Sequence, residues 1–411
     1  MATAQEIPDI LSPEFAADPY PAYRAMRESA PLLWHDATKS YVISRYEDVE
    51  RTFKDRESEF TTDNYDWQIE PVHGKTILQL SGREHAVRRA LVAPAFRGSD
   101  LEQKFLPVIE RNARELIGAF LRDERGEGGG EVDLVAAFAT RFPVNVIADM
   151  LGLDKADHAK FHGWYTSVIA FLGNLAGDPE IAAAGDRTRR EFAEYMIPVI
   201  RHRRENLGGD LLSTLCAAEV DGVRMSDEDI KAFCSLLLAA GGETTDKAIA
   251  SIFANLLTHP DQLAAVRADR TLVGRAFAET LRFTPPVHMI MRQTAKEVTL
   301  SGGTVPAGAT VTCLIGAANR DGARYTDPDT FNIFRDDLTS ATAFSAAADH
   351  LAFALGRHFC VGALLAKAEV ETGVNQLLDA LPDMRLAEGF VPVEQGVFTR
   401  GPVEVRVRFG G

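Results

Sequence analysis

A long helical pattern between Ser226 and His259 constrains the fold of this chain more than any other sequence feature. Ser226 is followed three residues later by Asp229, a pairing that is typical of the reciprocal cap at the start of a helix. At the other end, His259-Pro260 supplies a stop, because proline cannot continue an existing helix. The pattern therefore predicts one helix over this whole range.

Helical patterns also dominate the rest of the chain, and strand patterns are few. The predicted helices cover Pro19 to Glu28, Arg83 to Ala95, Asp100 to Leu121, Leu134 to Leu151, Asp186 to Arg204, Thr271 to Phe283 and Cys360 to Leu381. The predicted strands are a hairpin of residues 32–34 with 41–43, several short strands between 297 and 314, and a tail strand over 403–409. We therefore expect a mainly α fold with a small β region and a long irregular segment over 319–351.

The composition restricts the classes of function. The 411 residues include 44 basic and 59 acidic side chains, for a net charge of −15, and 46% of the residues are hydrophobic. These values fit a globular protein and argue against general nucleic-acid binding, which needs a basic surface. No apolar run approaches the ~20 residues of a membrane span. Because the N-terminal stretch has no basic start and the four cysteines lie far apart, we expect a cytoplasmic protein with no membrane association.

Cys360 is the cysteine whose surroundings indicate chemistry. A glycine-containing loop, from Phe353 to Gly362, leads into an apolar helix. A thiol at a helix N-terminus faces the positive end of the helix dipole, which favours the thiolate that binds metals. Gly356 and Gly362 would allow the backbone to approach a flat cofactor, and Phe353 would shield the sulfur from water. Taken alone, Cys360 also fits a buried structural cysteine.

The loop before Cys360 resembles the heme-binding signature of the cytochrome P450 family. The fixed positions of that signature are occupied here by Phe353, Gly356, His358, Cys360 and Gly362. The resemblance implies that Cys360 is the axial thiolate ligand of heme b, with O2 as co-substrate. It extends over almost the whole chain and implies a single triangular P450 domain over residues 1–411.

The predicted long helix contains a second motif, Ala240-Gly241-Gly242-Glu243-Thr244-Thr245. Adjacent glycines cost about 1 kcal/mol each in a helix and favour a local kink, although close helix packing is the alternative. The segment resembles the oxygen-activation motif of the same family. The resemblance implies that Ala240 and Gly241 lie at the heme, that Thr244 hydrogen-bonds to the bound oxygen and that Glu243 assists proton delivery. Many relatives have Asp at the position of Glu243.

Charged residues and histidines match two further family patterns. Glu279 and Arg282 share a helix face and by themselves fit a surface ion pair. The resemblance adds Arg335 and implies a structural trio that holds the loop before the cysteine. It also implies a set of residues that contact the heme propionates through charge-assisted hydrogen bonds. These are His85, Arg89, Arg292 and His358. Each one singly fits a solvated basic residue.

The substrate pocket is the part that the sequence defines least. By family alignment it draws on the loop over residues 64–78, with Phe171 as a further aromatic lid. The predicted substrate contacts are Tyr65, Trp67, Leu236, Ala239, Ala240, His288, Met289, Ile290, Val397 and Phe398. Core packing is the alternative for each apolar residue, and His288 fits either a substrate hydrogen bond or a core histidine. Macrolides, terpenes, steroids, peptides and aromatic acids all stay open as substrates.

The resemblance implies a heme-thiolate monooxygenase that hydroxylates or otherwise oxidises a small lipophilic or natural-product molecule. We expect a monomer that receives electrons from a ferredoxin and its reductase, with Arg88 and Arg357 as docking charges. A heme-thiolate protein that uses peroxide or isomerises its substrate is one alternative, which the presence of both Glu243 and Thr244 disfavours. A heme-binding sensor without catalytic activity is the other.

Overall fold

The computed structural model describes residues 7–124, 129–174 and 177–410. It is 56% helical and 12% strand, which confirms the predicted mainly α fold with a small β region. The α-helices are α1 (Pro13–Ala17), α2 (Tyr20–Ser29), α3 (Tyr46–Lys54), α4 (Tyr65–Gln68), α5 (Glu70–His73), α6 (Gly82–Val92), α7 (Leu106–Glu124), α8 (Arg141–Met150), α9 (His158–Leu172), α10 (Pro179–Glu205), α11 (Leu211–Ala217), α12 (Asp227–Thr258), α13 (Pro260–Ala268), α14 (Val273–Phe283), α15 (Ile315–Ala318) and α16 (Ala363–Ala380).

Short strands and tighter or wider helical turns complete the secondary structure. The strands are β1 (Leu32–His35), β2 (Ser40–Ile43), β3 (Phe60–Thr61), β4 (Gly130–Asp133), β5 (Met289–Thr294), β6 (Val298–Leu300), β7 (Gly303–Val305), β8 (Thr310–Leu314), β9 (Arg385–Leu386), β10 (Glu394–Gln395), β11 (Gly401–Pro402) and β12 (Arg406–Phe409). Segments of 3₁₀ helix occupy Ala93–Phe96, Lys155–Asp157, Arg270–Leu272 and Gly356–His358, and π-helical turns occupy Asp100–Phe105 and Val135–Ala139. No helix in the described part of the chain has both the length and the apolar character that a membrane crossing requires.

The chain divides into two compact units. Unit 1 consists of Met1–Thr61, Lys247–Cys360 and Asp383–Phe409. Unit 2 consists of Thr62–Asp246, Val361–Pro382 and Gly410–Gly411. Strands β1 to β3 and β5 to β12 belong to unit 1, whereas unit 2 is mainly helical.

Unit 1 is built on a five-stranded sheet with the order β1-β2-β8-β5-β3. β1 and β2 form the predicted antiparallel hairpin, in which Leu32 pairs with Ile43. β2 runs parallel to β8, and β5 is antiparallel to both β8 and β3. Antiparallel pairings also join β6 with β7, β10 with β11 and β9 with β12. β5, which carries Arg292, is therefore held by hydrogen bonds on both sides.

Two apolar clusters form the core of unit 1. The first joins Phe53 of α3, Cys313 of β8 and Leu355, which lies in the loop before Cys360. The second joins Tyr23 of α2 with Met289 of β5. Burial of this apolar surface attaches the cysteine loop to α3 and the start of β5 to the N-terminal helices.

Unit 2 is a set of packed helices. α7 packs on α8 and α16, and α9 packs on α8 and α10. Phe138 and Phe142 stack with ring centroids 4.8 Å apart. The two rings lie so close to Gly373 of α16 that an added Cβ would meet them at 3.2 and 3.4 Å. Aromatic contacts between Phe161 of α9 and Phe192 of α10 hold the next helix pair together.

The long predicted helix is confirmed as α12, together with its cap. The Ser226 N–H donates to Asp229 Oδ2 at 2.8 Å, and the Asp229 N–H donates to Ser226 Oγ at 3.1 Å. α12 runs through Gly241 and Gly242 without a break. The pattern of helix-starting residues was therefore sufficient to locate this element.

The helices differ from the predictions in several places. α3, α9 and α11 were not predicted, and α10 begins at Pro179 rather than at Asp186. The last helix begins at Ala363 with Gly362 as its N-cap, so Cys360 precedes the helix rather than starting it. α13 was missed because Pro260 was interpreted only as the stop of α12. Proline is equally favoured in the first turn of a new helix, where its absent N–H costs nothing.

Candidate active site

The loop before Cys360 is held by its own backbone. The Cys360 N–H donates to the Phe353 carbonyl at 2.9 Å, and the Phe359 N–H donates to the Gly356 carbonyl at 3.2 Å. Gly356 has a φ of +68°, and a Cβ at this position would lie 2.6 Å from the Phe53 carbonyl oxygen. Glycine is therefore required at 356 by packing against α3, a reason that the sequence did not reveal.

Cys360 differs from the other cysteines in its exposure. Cys216, Cys234 and Cys313 are buried, whereas Cys360 is exposed. Burial raises the pKa of the Cys313 thiol to about 12, which keeps this thiol protonated at neutral pH. A metal ligand must be both reachable and deprotonated. The exposure of Cys360 excludes the buried structural cysteine that the sequence left open.

Arg292 packs against the same part of α3 as the cysteine loop. It is buried on β5, its guanidinium group lies 5.4 Å from the centroid of the Phe53 ring, and its Nη1 donates to the Met291 carbonyl at 2.8 Å. Since the Phe53 carbonyl also touches Gly356, one residue of α3 contacts both Arg292 and the loop. Within unit 1, the predicted ligand and a predicted propionate contact are thus attached to a common support.

The predicted trio of charges is a buried cluster and not a surface pair. Arg282 Nε lies 2.7 Å from Glu279 Oε2, and Arg335 Nε lies 2.9 Å from the same oxygen. Arg282 also donates to the carbonyls of Pro328 and Thr330, at 2.8 and 3.1 Å. Buried charges are tolerated when they are paired in this way. The cluster ties α14 to the irregular segment that precedes the cysteine loop.

The two glycines of α12 allow close packing with neighbouring helices. A Cβ at Gly241 would lie 2.8 Å from Ile147 Cδ1, and a Cβ at Gly242 would lie 2.8 Å from the ring of Tyr165. Helix packing, which the sequence left open as the alternative, therefore explains both residues. The two glycines make room for Ile147 and Tyr165 because they have no side chains, and this close packing does not require the expected kink.

One face of α12 is accessible within an otherwise buried stretch. Ala240 is exposed, and Leu236 and Thr244, which lie one turn away on either side, are half-buried. Thr244 Oγ1 donates to the Ala240 carbonyl at 2.6 Å. Ala239 instead belongs to a buried cluster with Val72 and Val168. A cofactor or substrate is able to reach Leu236, Ala240 and Thr244, whereas Ala239 is a core residue.

Apart from Thr244, the acids and hydroxyls that follow the glycines each have a partner on another segment. The Tyr165 hydroxyl donates to Glu243 Oε2 at 2.5 Å, and the Thr140 hydroxyl donates to Asp246 Oδ2 at 3.2 Å. Thr245 Oγ1 lies 3.5 Å from a carboxylate oxygen of Glu369 on α16.

Burial raises the pKa of Glu369 to about 8, so this acid is largely protonated at neutral pH. Sequence reasoning missed both Tyr165 and Glu369. An acid inside the apolar sequence of α16 was the one available signal for Glu369, and the sequence contained no signal for Tyr165.

The remaining predicted basic residues have different surroundings. His85 is buried on α6, and Arg89 lies half-buried one turn later on the same face. Arg88 forms an ion pair with Asp229 at 2.7 Å and is 18% exposed, and its role as a docking charge stays a prediction. Arg357 pairs with Asp55 but keeps 55% of its side chain exposed.

His288 is a core histidine. It is 1% exposed, and its ring Nδ1 lies 2.9 Å from the Tyr23 hydroxyl. Its backbone N–H donates to the Phe398 carbonyl at 2.9 Å. Burial, and to a lesser degree Arg400 and Arg320, lowers the pKa of His288 well below its usual value, so the ring is neutral. The core alternative therefore describes His288 better than a substrate contact.

The other predicted substrate contacts divide by exposure. Met289 is buried in the cluster with Tyr23, which makes it a core residue. Partly buried residues that pack on the two clusters of unit 1 are Ile290, Val397 and Phe398. Tyr65 is half-buried and Trp67 is 58% exposed on α4. Phe171 packs against Gly185 of α10.

The chemistry of these groups fits a heme. The accessible cysteine of the loop would supply the soft thiolate that iron in a porphyrin accepts as a ligand. Arg292, and His358 when protonated, supply positive charge in the same unit, which suits a cofactor with carboxylate side chains. Besides Cys360, His358 is the one residue of the loop whose side chain is of a type that commonly binds metals.

Comparisons with known proteins give a consistent result. A model of the family "Cytochrome P450" matches residues 22–156 and 175–381. Pulcherriminic acid synthase of Bacillus subtilis (strain 168) is 41% identical over 412 residues, with 100% of both chains covered. Cytochrome P450 107B1 of Saccharopolyspora erythraea is 34% identical over 403 residues, which cover 94% of this chain and 93% of the relative.

A solved structure agrees with the sequence comparisons. The structure of cytochrome P450 CYP109Q5 from Chondromyces apiculatus matches with a TM-score of 0.84 at 30% identity, and 98% of each chain is covered. The similarity thus extends over both the sequence and the fold. With its exposed cysteine and full-length relatives, this chain belongs to the cytochrome P450 family, whose members are heme-thiolate monooxygenases that use O2 and electrons from redox partners.

Proposed function

We propose that Cys360 would hold the heme iron through its thiolate and that this chain oxidises a small natural-product molecule. The observation that carries the proposal is the exposed thiol of Cys360 at the end of a loop held by the Phe353 carbonyl and by Gly356. The bound heme supplies the chemistry of O2 activation and substrate oxidation. The side chains of the protein hold the cofactor, exclude water and supply protons.

The residues that hold the cofactor act through charge and through small size. His85, Arg89, Arg292 and His358 bind the propionates in this proposal, because charge-assisted hydrogen bonds to carboxylates are strong. Phe353 and Gly362 shape the loop around the thiol. Ala240 keeps the accessible face of α12 free of bulk, and its neighbour Gly241 lets the helix backbone sit close to α8.

Thr244 and Glu243 handle protons in this proposal. Thr244 holds its hydroxyl proton in the 2.6 Å bond to the Ala240 carbonyl. Turning the hydroxyl presents either that proton or an oxygen lone pair to a ligand on the accessible face, because a hydroxyl is both a donor and an acceptor. Glu243, which is 8% exposed, is a buried carboxyl group on the next residue of the helix. It is the acid that resupplies the proton.

The substrate proposal starts from the relative of Bacillus subtilis. Identity of 41% over the full length of both chains supports a substrate that is the same as, or chemically close to, the precursor of pulcherriminic acid. The test is to express this chain in a Bacillus subtilis strain that lacks its own pulcherriminic acid synthase. Restored pulcherriminic acid supports the proposal. If the protein is present with bound heme and no product forms, a different substrate must be sought.

A spectral binding screen then extends the search. Purified holoprotein is titrated with a natural-product library, and the spin-state change of the iron is recorded for each compound. We expect the compounds that bind to share one chemical class and to be oxidised when electrons are supplied. A bound compound that yields no oxidised product with any redox partner would favour the heme-binding sensor instead.

The electron donors, the oligomeric state and the cellular location of the protein complete the proposal. We propose a ferredoxin and its reductase as donors, and a cytoplasmic monomer formed by one domain over residues 1–411. Turnover with a ferredoxin system, compared with turnover by hydrogen peroxide, distinguishes a monooxygenase from a peroxide-dependent enzyme. Analytical ultracentrifugation tests the monomer. A sedimentation coefficient that corresponds to a dimer would contradict it.

The decisive experiment concerns the thiol. Cys360→Ala is expected to abolish the carbon-monoxide difference spectrum of a heme-thiolate protein, because alanine offers no ligand to the iron. Cys216→Ala is the matched control, since Cys216 is buried and lies outside the loop. If Cys360→Ala keeps the spectrum, or if the wild-type protein stays colourless with excess hemin, the proposed function is wrong.

A further inference from the structure

The side chain of Glu243 is held by a residue on another helix. Tyr165 of α9 donates its hydroxyl hydrogen to Glu243 Oε2 at 2.5 Å, a length typical of an O–H donor bound to a carboxylate. Tyr165 is 5% exposed and Glu243 is 8% exposed, so solvent competes little for this bond. We propose that Tyr165 is a positioning residue of the O2 reaction that acts by fixing Glu243, an inference that rests on the proposed role of Glu243.

Gly242 provides the space in which the Tyr165 ring lies. A Cβ at Gly242 would come within 2.8 Å of Tyr165 Cε2 and within 3.3 Å of Val144 Cγ2. Real Cβ atoms do not approach ring carbons to 2.8 Å, so any larger residue at 242 has to displace the ring. The glycine beside the acid, the ring that packs on it and the hydroxyl that binds the acid therefore form one arrangement.

The length of the acid matches this arrangement. Aspartate is shorter than glutamate by one methylene group. An aspartate at 243 would lose the 2.5 Å bond to Tyr165 unless α9 moved towards α12. The glutamate of this chain is therefore explained by the tyrosine on α9. Neither residue alone indicates a function, but the contact between them does.

The hydroxyl of Tyr165 acts as an anchor and not as a proton source. Burial, and next the charge of Glu243, raises the pKa of Tyr165 far above its usual value, so the phenol stays protonated. Consecutive residues of a helix point about 100° apart, so Glu243 faces α9 while Thr244 bonds back to Ala240. Tyr165 thus determines where the carboxyl group resides relative to its neighbour Thr244.

The expected consequence of losing the anchor is a change in what becomes of O2. Reduction to hydrogen peroxide uses two electrons and two protons, and reduction to two waters uses four of each. A proton donor that is no longer held in one position spends less time in the productive geometry. Removing the Tyr165 hydroxyl should therefore shift substrate-free O2 consumption towards peroxide.

The hydrogen bond itself is tested by NMR without turnover. Tyrosine labelled with ¹³C at Cζ is incorporated, and spectra are recorded on the diamagnetic ferrous carbon-monoxide form. The Tyr165 signal is assigned by its loss in Tyr165→Phe. It is expected to shift in Glu243→Gln and Glu243→Asp, and to stay in place in Glu115→Gln, a surface control. An unchanged Tyr165 signal in both Glu243 variants overturns the proposal.

The positioning role is tested by a double-mutant cycle with O2 as the probe. Oxygen consumed and peroxide released are measured with ferredoxin and its reductase. Tyr165→Phe is expected to raise the peroxide yield per O2 by about two- to tenfold, whereas the control Tyr195→Phe, whose hydroxyl binds Asp157, leaves it unchanged. In the Glu243→Gln background, Tyr165→Phe should add nothing, because residues that act through each other are not additive.

Each outcome of the cycle has a meaning. Independent, multiplicative effects of the two substitutions would show that Tyr165 acts by another route, which overturns the proposal. An unchanged peroxide yield in Tyr165→Phe overturns it as well. If Glu243→Gln also changes nothing, the role of Glu243 fails too, while the assignment of Cys360 is judged separately by the carbon-monoxide spectrum.

Discussion

The cysteine loop (Phe353 to Gly362) and the acid turn (Gly241 to Asp246 of α12) obtain their geometry in different ways. In the cysteine loop, the Cys360 N–H bonds to Phe353 only seven residues earlier in the chain. In the acid turn, the side-chain partners of Glu243, Thr245 and Asp246 lie 78, 124 and 106 residues away. The first region is therefore shaped largely by local backbone bonds, and the second by contacts between helices.

This difference determines what each region reveals in the sequence. A loop that closes on itself needs particular residues at fixed short spacings, and such a pattern can be recognised in a single chain. An acid inside a helix needs only to point at a partner, and the partner is located by tertiary packing. Substitutions in the loop should therefore affect cofactor retention and stability, whereas substitutions at the acid turn should affect proton delivery during O2 reduction.

The largest expected effect concerns the distant support of the cysteine loop. Glu279→Ala leaves Arg282 and Arg335 without their shared carboxylate in a buried place. We expect the free energy of unfolding to fall by about 3–5 kcal/mol. Arg24→Ala, which breaks an exposed pair with Asp329, is the control and should cost less than about 1 kcal/mol. Equal stability of the two variants by denaturant unfolding would mean that the loop needs no distant support.

Gly356→Ala tests the local part of the comparison. The residue has a φ of +68°, and the new Cβ would meet the Phe53 carbonyl oxygen at 2.6 Å. Backbone strain and overpacking together should cost about 2–4 kcal/mol and lower the heme content of the purified protein. Gly322→Ala is the control, because no atom lies within 4 Å of its added Cβ. Normal heme content in Gly356→Ala would show that the loop tolerates another backbone path.

Glu369→Gln tests how much a partner of the acid turn contributes to the pH dependence of stability. Burial raises the pKa of Glu369 from its usual 4.5 to about 8, so the unfolded chain releases this proton at lower pH than the folded chain. Stability should therefore fall as the pH rises from about 4.5 to about 8, by up to ~1.4 kcal/mol per pH unit from this group.

Thermal unfolding at pH 5.5 and 7.5 measures this contribution. The loss of stability between the two pH values should be about 2 kcal/mol smaller in Glu369→Gln than in the wild type. Glu371→Gln is the control, since that acid pairs with Lys367 on the partly exposed side of α16. An identical pH dependence in wild type and Glu369→Gln would show that Glu369 is not protonated in the folded protein.

Gly242→Ala tests whether the packing of α12 against α9 is needed for the acid turn. The new Cβ displaces the Tyr165 ring, and overpacking of this kind costs about 1–3 kcal/mol. The peroxide yield per O2 should rise as in Tyr165→Phe. Gly163→Ala on α9 is the control, since its added Cβ meets no atom within 4 Å and alanine favours helix. A stable Gly242→Ala variant with an unchanged peroxide yield would separate the glycine from the anchor.

Several particular residues show where prediction succeeded and where it stopped. The cap of α12 at Ser226 and Asp229 was predicted correctly because both residues lie within one turn. The ion pair of Arg88 with Asp229 was not predicted, because the two residues are remote in sequence and meet only in the folded chain. Ala239 and Met289 were assigned to the pocket, but both are core residues, since apolar character by itself does not distinguish the two environments.

The sequence by itself determined the helical class of this protein and the family that its cysteine loop resembles, and it singled out Cys360 as the thiol proposed to bind the heme iron, because each of these depends on residues at short, fixed spacings. Tertiary structure alone decided that Gly356 seats the loop on α3, that Glu279 joins two arginines in the interior, and that Tyr165 holds Glu243. The physical reason is that side-chain hydrogen bonds and desolvation depend on which segments meet in space, and a linear pattern records only neighbours along the chain.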